Sequence, residues 1–153
     1  MLNKTSNERG FSLTELIVVV GLIGVLSLVA VPSLLTYWQS SSLTAGAEQL
    51  ASVMNRARQL AVRSNTSVCV EQTGTSVRLR TVSCAGTIWT GIGTDSAGLI
   101  QIANNMQVTN ATANAIFTNV GGASTIGTYT LTDPRTSRTR TVAVSASGRV
   151  TIQ

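Results

Sequence analysis

Three regimes of apolar and polar spacing follow one another along this 153-residue chain. From Leu16 through Ala47 no residue is charged, and residues 16–35 are almost all apolar. A run of about 20 such residues suffices for one membrane-spanning helix. The second regime is periodic: Leu43, Ala47, Leu50, Met54, Ala57 and Ala61 recur at spacings of four and three. Ser40, Ser41, Glu48, Gln49, Arg56 and Arg63 fall mostly elsewhere, so the pattern is one apolar stripe on an amphipathic helix. A continuous helix over residues 12–63 would be roughly 75–80 Å long at 1.5 Å per residue. Its first half needs lipid or other helices, and its second half needs a globular partner. Pro32, with Gly21 and Gly24 before it, lies in the apolar run, and its missing N–H predicts a kink or local loosening there.

The third regime, residues 64–153, reads as short strands. Val68-Cys69-Val70, Val77-Arg78-Leu79-Arg80, Leu99-Ile100-Gln101-Ile102, Ala115-Ile116-Phe117, Tyr129-Thr130-Leu131, Val142-Ala143-Val144 and Val150-Thr151-Ile152 are the runs. In the second, Val77 and Leu79 should face inward and the two arginines outward. Clusters such as Asp95-Ser96-Ala97-Gly98 and Gly121-Gly122-Ala123-Ser124 separate them as turns. Thr, Ser and Asn abundance predicts a mobile loop over residues 104–114. One long helix and a set of short strands make a single small α+β domain. With 4% aromatic residues the core is thin, so the sheet must pack on the helix stripe to bury enough surface.

Glu15 stands at the start of the apolar run, where an ionised carboxylate costs several kcal/mol unless paired. If the chain were cut after Gly10, the new α-amine on Phe11 would lie four residues from it. Gly10-Phe11-Ser12-Leu13-Thr14-Glu15 closely resembles the cleavage and methylation motif of type IV pilins and type II secretion pseudopilins. The resemblance implies a prepilin peptidase that cuts between Gly10 and Phe11, N-methylation of Phe11, and assembly through Glu15. It implies a prepilin leader at residues 1–10, a transmembrane and assembly segment at 11–35, and an exported pilin-like domain at 36–153. The leader has Lys4 and Arg9 but no apolar stretch of its own, unlike a conventional cleaved signal. Positive charge before the span predicts a cytoplasmic N-terminus and an exported remainder, and the resemblance implies an anchor in the inner membrane.

Val68-Cys69, Cys84, Trp89-Thr90-Gly91 and Asp95 to Gly98 resemble the GspH/FimT branch of minor pilins. Ile116-Phe117 before Gly121-Gly122, the terminal Gly148-Arg149-Val150, and Asn55-Arg56-Ala57-Arg58-Gln59-Leu60-Ala61-Val62-Arg63-Ser64-Asn65 fit the same branch. That branch implies a type IV pilin-like fold and a low-abundance subunit that initiates or caps a filament with other minor pilins. The alternative is a minor pseudopilin of a type II secretion system, with a structural role only. Cys69 and Cys84 would meet an oxidising compartment, where such a pair usually joins; two unpaired buried thiols are the other reading.

Charge adds one candidate surface. The 131–138 stretch reads as a hairpin turn with Pro134 setting the turn dihedral, which would crowd Arg135, Arg138 and Arg140 at its tip. Arginine grips phosphate bidentately, so the candidate partner is double-stranded DNA. Some GspH/FimT members bind DNA through a Gly-Arg-x-Arg element. Here it reads Gly148-Arg149-Val150-Thr151, adding Arg149 with one arginine instead of two. Arg78 and Arg80 form a second, weaker row. The bland reading of the whole cluster is a solvated basic loop. The chain has no His, few carboxylates and no phosphate loop or nucleophile elbow, so no catalytic residues, metal or cofactor are expected.

Overall fold

The computed structural model describes residues 11–153. Gly10 and the leader lie outside the described residues. One helix, α1 (Leu13–Ser64), precedes nine strands, and the contacts divide the chain into two compact units, Met1–Trp38 and Gln39–Gln153.

Ser12 stands at the N-cap position, where its carbonyl accepts the Leu16 N–H at 3.1 Å. Glu15 lies in the first turn, where a negative charge suits the helix dipole. The helix is unbroken through Pro32. Two hydroxyls in this half are satisfied within the helix: Ser27 Oγ donates to Ile23 O at 2.8 Å and Thr36 Oγ1 to Pro32 O at 3.1 Å. Every side chain from Leu13 to Trp38 is exposed. The helix ends at Asn65, whose φ of 49° is left-handed, with Thr66 N–H donating back to Ala61 O at 3.2 Å.

In the second unit, Leu43, Ala47, Leu50, Met54, Ala57 and Ala61 are all buried, joined by Gly46 and Val53. Two antiparallel sheets share this core. The first has the order β3-β2-β1-β5-β6, from β1 (Val68–Thr73), β2 (Ser76–Thr81), β3 (Leu99–Ile100), β5 (Ala115–Phe117) and β6 (Ala123–Thr125). The second has the order β4-β7-β8-β9, from β4 (Gln107–Ala111), β7 (Thr128–Thr132), β8 (Thr139–Val144) and β9 (Val150–Ile152). Val77 and Leu79 do face inward, opposite Gln72 and Val70 of β1.

Two sequence expectations are corrected. Residues 104–114 are not simply a loop: a 3-10 turn (Ala103–Asn105) leads into β4, which pairs with β7. Met106 and Val108 are buried there, an alternation that the surrounding Thr and Asn obscure. Ala123 and Ser124, read as part of a turn, belong to β6 on the edge beside β5. Helix and second sheet approach closely at Gly46, where a Cβ would lie 2.9 Å from Met106 Cγ and 3.0 Å from a Leu131 methyl. Gln49 fixes the adjoining segment, donating to Gln101 O at 3.2 Å and accepting the Ala103 N–H at 2.6 Å.

Tyr129 joins the two sheets. From β7 its buried hydroxyl donates to Val70 O at 2.6 Å and accepts the Ala115 N–H at 2.8 Å. Val70 and Ala115 are register partners where the β1–β5 ladder ends. A hydroxyl can satisfy a donor and an acceptor at once. Burial pushes its pKa up to about 12, so it remains protonated and keeps its donor role. Tyr129→Phe removes both bonds and leaves a buried N–H and a buried carbonyl without partners. We expect a loss of about 1–3 kcal/mol in urea unfolding of the Gln39–Gln153 fragment.

Candidate assembly and nucleic-acid surfaces

The predicted assembly residues lie in the first unit. Phe11 is 79% exposed, and Glu15 is exposed one turn further on. The helix bearing them is long and apolar enough to cross a membrane. Its apolar side chains are exposed, so this surface needs lipid or other helices. Glu15 is the one charge on it.

In the second unit the β7–β8 hairpin places three of the predicted arginines together. Leu131 pairs with Arg140 and Thr132 with Thr139, which puts Arg135 and Arg138 in the connecting turn. Asp133 builds that turn. Its N–H donates to Arg138 O at 2.9 Å, and its carbonyl accepts the Ser137 N–H at 2.8 Å. Its carboxylate accepts the Arg135 N–H at 2.9 Å and the Thr136 hydroxyl at 2.8 Å. Asp133 is buried. The Arg135 backbone N–H, followed by the Thr136 hydroxyl and the charges of Arg135 and Arg138, lowers its pKa despite the burial. The acid nearest the cluster is thus turned inward. Arg135, Arg138 and Arg140 are exposed, and none makes an ion pair among the described residues. Arg140 shares the strand face of buried Val142 and stands at the rim of the core.

Arg149 does not join them. It follows the turn at the other end of β8, and six strand residues span about 20 Å. Charges that far apart across solvent are screened from one another. The preceding residue abuts the helix: a Cβ on Gly148, at φ +76°, would lie 3.2 Å from Arg58 Nε and 2.1 Å from Gly121 O. No local pattern places Arg58 at this spot, because the two loops meeting over it are far apart in the chain.

Arg78 and Arg80 are not a phosphate-facing row. Both Nε atoms donate to the same oxygen, Glu71 Oε2, at 2.6 Å. Arg80 Nη1 also donates to Gly86 O at 2.8 Å, tying β2 to the 82–92 segment. That segment carries Cys84, which is bonded to Cys69 with a Cα–Cα separation of 5.1 Å. Closing a loop of this size stabilises by about 3 kcal/mol in the chain-entropy model. The described residues hold no cluster of His, Cys, Asp or Glu able to bind a metal.

The family model of type II transport protein GspH matches residues 46–148, and that of the prokaryotic N-terminal methylation motif matches residues 5–31. No curated protein matches in sequence. Solved structures of two proteins are similar in fold. The type IV minor pilin FimU of Pseudomonas aeruginosa is 19% identical, with a TM-score of 0.55 over 76% of this chain and 92% of that one. The minor pseudopilin EpsH of the type 2 secretion system of Vibrio cholerae is 8% identical, with a TM-score of 0.55 over 73% of this chain and 96% of that one.

Glu71 gives a pH test of the outer face of β1. Its hydrogen bond from Arg78 comes first, with a second from Arg80, and these hold its pKa below the ordinary 4.5 against partial burial. A depressed folded pKa means the stabilisation is complete above the ordinary value and is lost as pH falls through the folded one. Glu71→Gln should therefore cost about 1–2 kcal/mol at neutral pH. In urea titrations the gap from wild type should close as the pH drops below 4.5.

Proposed function

Because this chain belongs to the GspH family of minor pilins and pseudopilins, we propose that it is a minor pilin that helps initiate or cap a type IV pilus. The observation that carries the reading is the wholly exposed apolar helix from Leu13 to Trp38 with Glu15 as its single charge. Prepilin peptidase would cut between Gly10 and Phe11 and methylate Phe11. The chain would first sit in the inner membrane with its second unit exported. The new amine of a neighbouring subunit would then neutralise Glu15 as the helices bundle, replacing an unpaired carboxylate that costs several kcal/mol in apolar surroundings. A minor pseudopilin of a type II secretion system is the second reading, favoured by an equal structural likeness to EpsH. Its family and fold are those of structural subunits, and the role proposed is accordingly non-enzymatic.

Within the pilus reading, the β7–β8 hairpin contacts double-stranded DNA through phosphate. Its support is the exposed, unpaired set Arg135, Arg138 and Arg140, with Asp133 folded away.

Processing and assembly are tested together. Mass spectrometry of the membrane-extracted protein should give an N-terminal, methylated Phe11, and an intact Met1 in cells with active prepilin peptidase would overturn the processing step. Glu15→Ala should leave the second unit folded but abolish co-purification with partner subunits. Deleting the gene should reduce piliation and leave secretion intact; the reverse pattern would assign the chain to secretion.

The DNA contact is tested on the Gln39–Gln153 fragment. Three phosphate contacts predict a log–log salt slope of about −3. Each of Arg135→Ala, Arg138→Ala and Arg140→Ala should reduce it by about one unit. Arg149→Ala should leave it unchanged, because Arg149 stands at the other end of β8. Equal binding by wild type and the triple variant would return the cluster to a solvated loop.

A further inference from the structure

The Gly91, Ile92, Gly93 and Thr94 segment forms a turn that is closed and anchored beside the helix. Thr94 N–H donates to Gly91 O at 3.1 Å, and the Thr94 hydroxyl donates to the same oxygen at 2.9 Å. That hydroxyl also accepts the Gly91 N–H at 3.0 Å. Gly93 supplies the left-handed φ of +86° that such a turn needs. Gly91 packs against the Trp89 indole, where a Cβ would come within 2.4 Å of the ring. From α1, Arg56 Nη1 donates to Ile92 O at 2.5 Å.

The backbone of Ile92 is therefore held on both sides, yet its side chain is 89% exposed. No other large apolar side chain among the described residues is as exposed. An apolar group already fixed in place loses little conformational freedom on docking. Behind it runs a shallow groove of about 260 Å³, lined also by Gln59, Leu60, Arg63 and Trp89. Arg56 and Arg63 give its rim two positive charges, no carboxylate lines it, and neither arginine has an ion-pair partner among the described residues.

We propose that Ile92, flanked by Arg56 and Arg63, is a docking knob that seats in an apolar, acid-rimmed pocket on a different protein subunit. Charge complementarity selects the occupant. A second copy of this chain fits poorly, because all but one of its own side-chain acids in Gln39–Gln153 already hold internal partners, and a single carboxylate makes no acidic rim opposite two arginines. Glu71 holds two arginines, Asp133 is buried in its turn, and Asp95 Oδ1 accepts the N–H groups of Ala97 and Leu99. Glu48 is the one side-chain carboxylate left outside such contacts. A nucleic acid fits poorly too, because the isoleucyl group projects beside the guanidinium groups and would face phosphate. The chemistry of the partner is set by this surface alone; that it is a subunit of the same filament rests on the function proposed above.

The test uses the full chain in cells, with a photoreactive benzoylphenylalanine at Gln59 and, in a second strain, at Val20. Irradiation of the Gln59 strain should give one protein adduct whose cross-linked peptide contains Asp or Glu and whose own sequence bears an N-terminal methylation motif. Ile92→Asp and Arg63→Glu should each lower its yield roughly tenfold, the equivalent of about 1.4 kcal/mol. Ile92→Leu should preserve it, and replacing the partner's acid with Arg should restore the Arg63→Glu variant. The retained Cys69–Cys84 disulfide, read by thiol labelling, checks that each variant is folded. Adducts to DNA, lipid or a second copy, or yields unchanged by both charge and apolar variants, would overturn the proposal. Adducts at Val20 without any at Gln59 would overturn docking alone; none at either site would overturn the filament function with it.

Discussion

Both sheets of the second unit are built on one narrow stripe of α1, and half of that stripe is small residues. Gly46, Ala47, Ala57 and Ala61 give the strands a surface they can approach closely, while Leu43, Leu50, Val53 and Met54 fill the spaces between. The contact at Gly46 illustrates the constraint: even one added carbon would press on Met106 and Leu131. Tyr129 and Phe117 are the largest fully buried side chains, and aliphatic residues fill the rest of the core. The Tyr129 hydroxyl then links the sheets where the β1–β5 ladder runs out, so no buried backbone group at that junction is left without a partner.

The charges sort by what holds them. Arg78 and Arg80 brace the outer face of β1 through Glu71, and Arg56 holds the 91–94 turn through the Ile92 carbonyl. Arg135, Arg138 and Arg140 have no such structural duty, and the one nearby acid is spent on shaping their turn. The excess of positive charge is therefore displayed in separate places with separate chemistry: a hairpin end open to phosphate, and a helix flank where cations stand beside an exposed isoleucine.

Much of this was legible in the sequence, for identifiable reasons. The helix stripe was readable because a period of three and four residues is fixed by helix geometry, and each predicted stripe residue is buried. Val77 and Leu79 were readable from simple alternation. The β7–β8 hairpin was readable because Pro134 and the flanking runs define a turn locally. What escaped was long-range. β4 was masked by Thr and Asn on its exposed face, although Met106 and Val108 alternate inward. Glu71 stands seven and nine residues from its arginines, so pairing across β1 and β2 depends on register, which composition does not reveal. Arg149 looked close to Arg140 along the chain, yet β8 carries the two to opposite ends of a strand. The 91–94 turn is marked locally by its glycines and Thr94, but its anchoring by Trp89 beneath it and Arg56 on the helix beside it is long-range and unreadable from the local pattern.

The covalent link between Cys69 and Cys84 has a mechanical consequence. The helix passes into β1 only a few residues before Cys69, so tension on α1 would reach that strand early. With the sulfurs joined across 15 residues of sequence, the intervening chain is withheld from extension. At about 3.5 Å per residue this removes roughly 50 Å from the length that pulling could draw out. Load would bypass β2 and the 82–84 segment and pass directly to the chain beyond Cys84, so under force the domain would have a shorter extensible contour than its sequence length suggests.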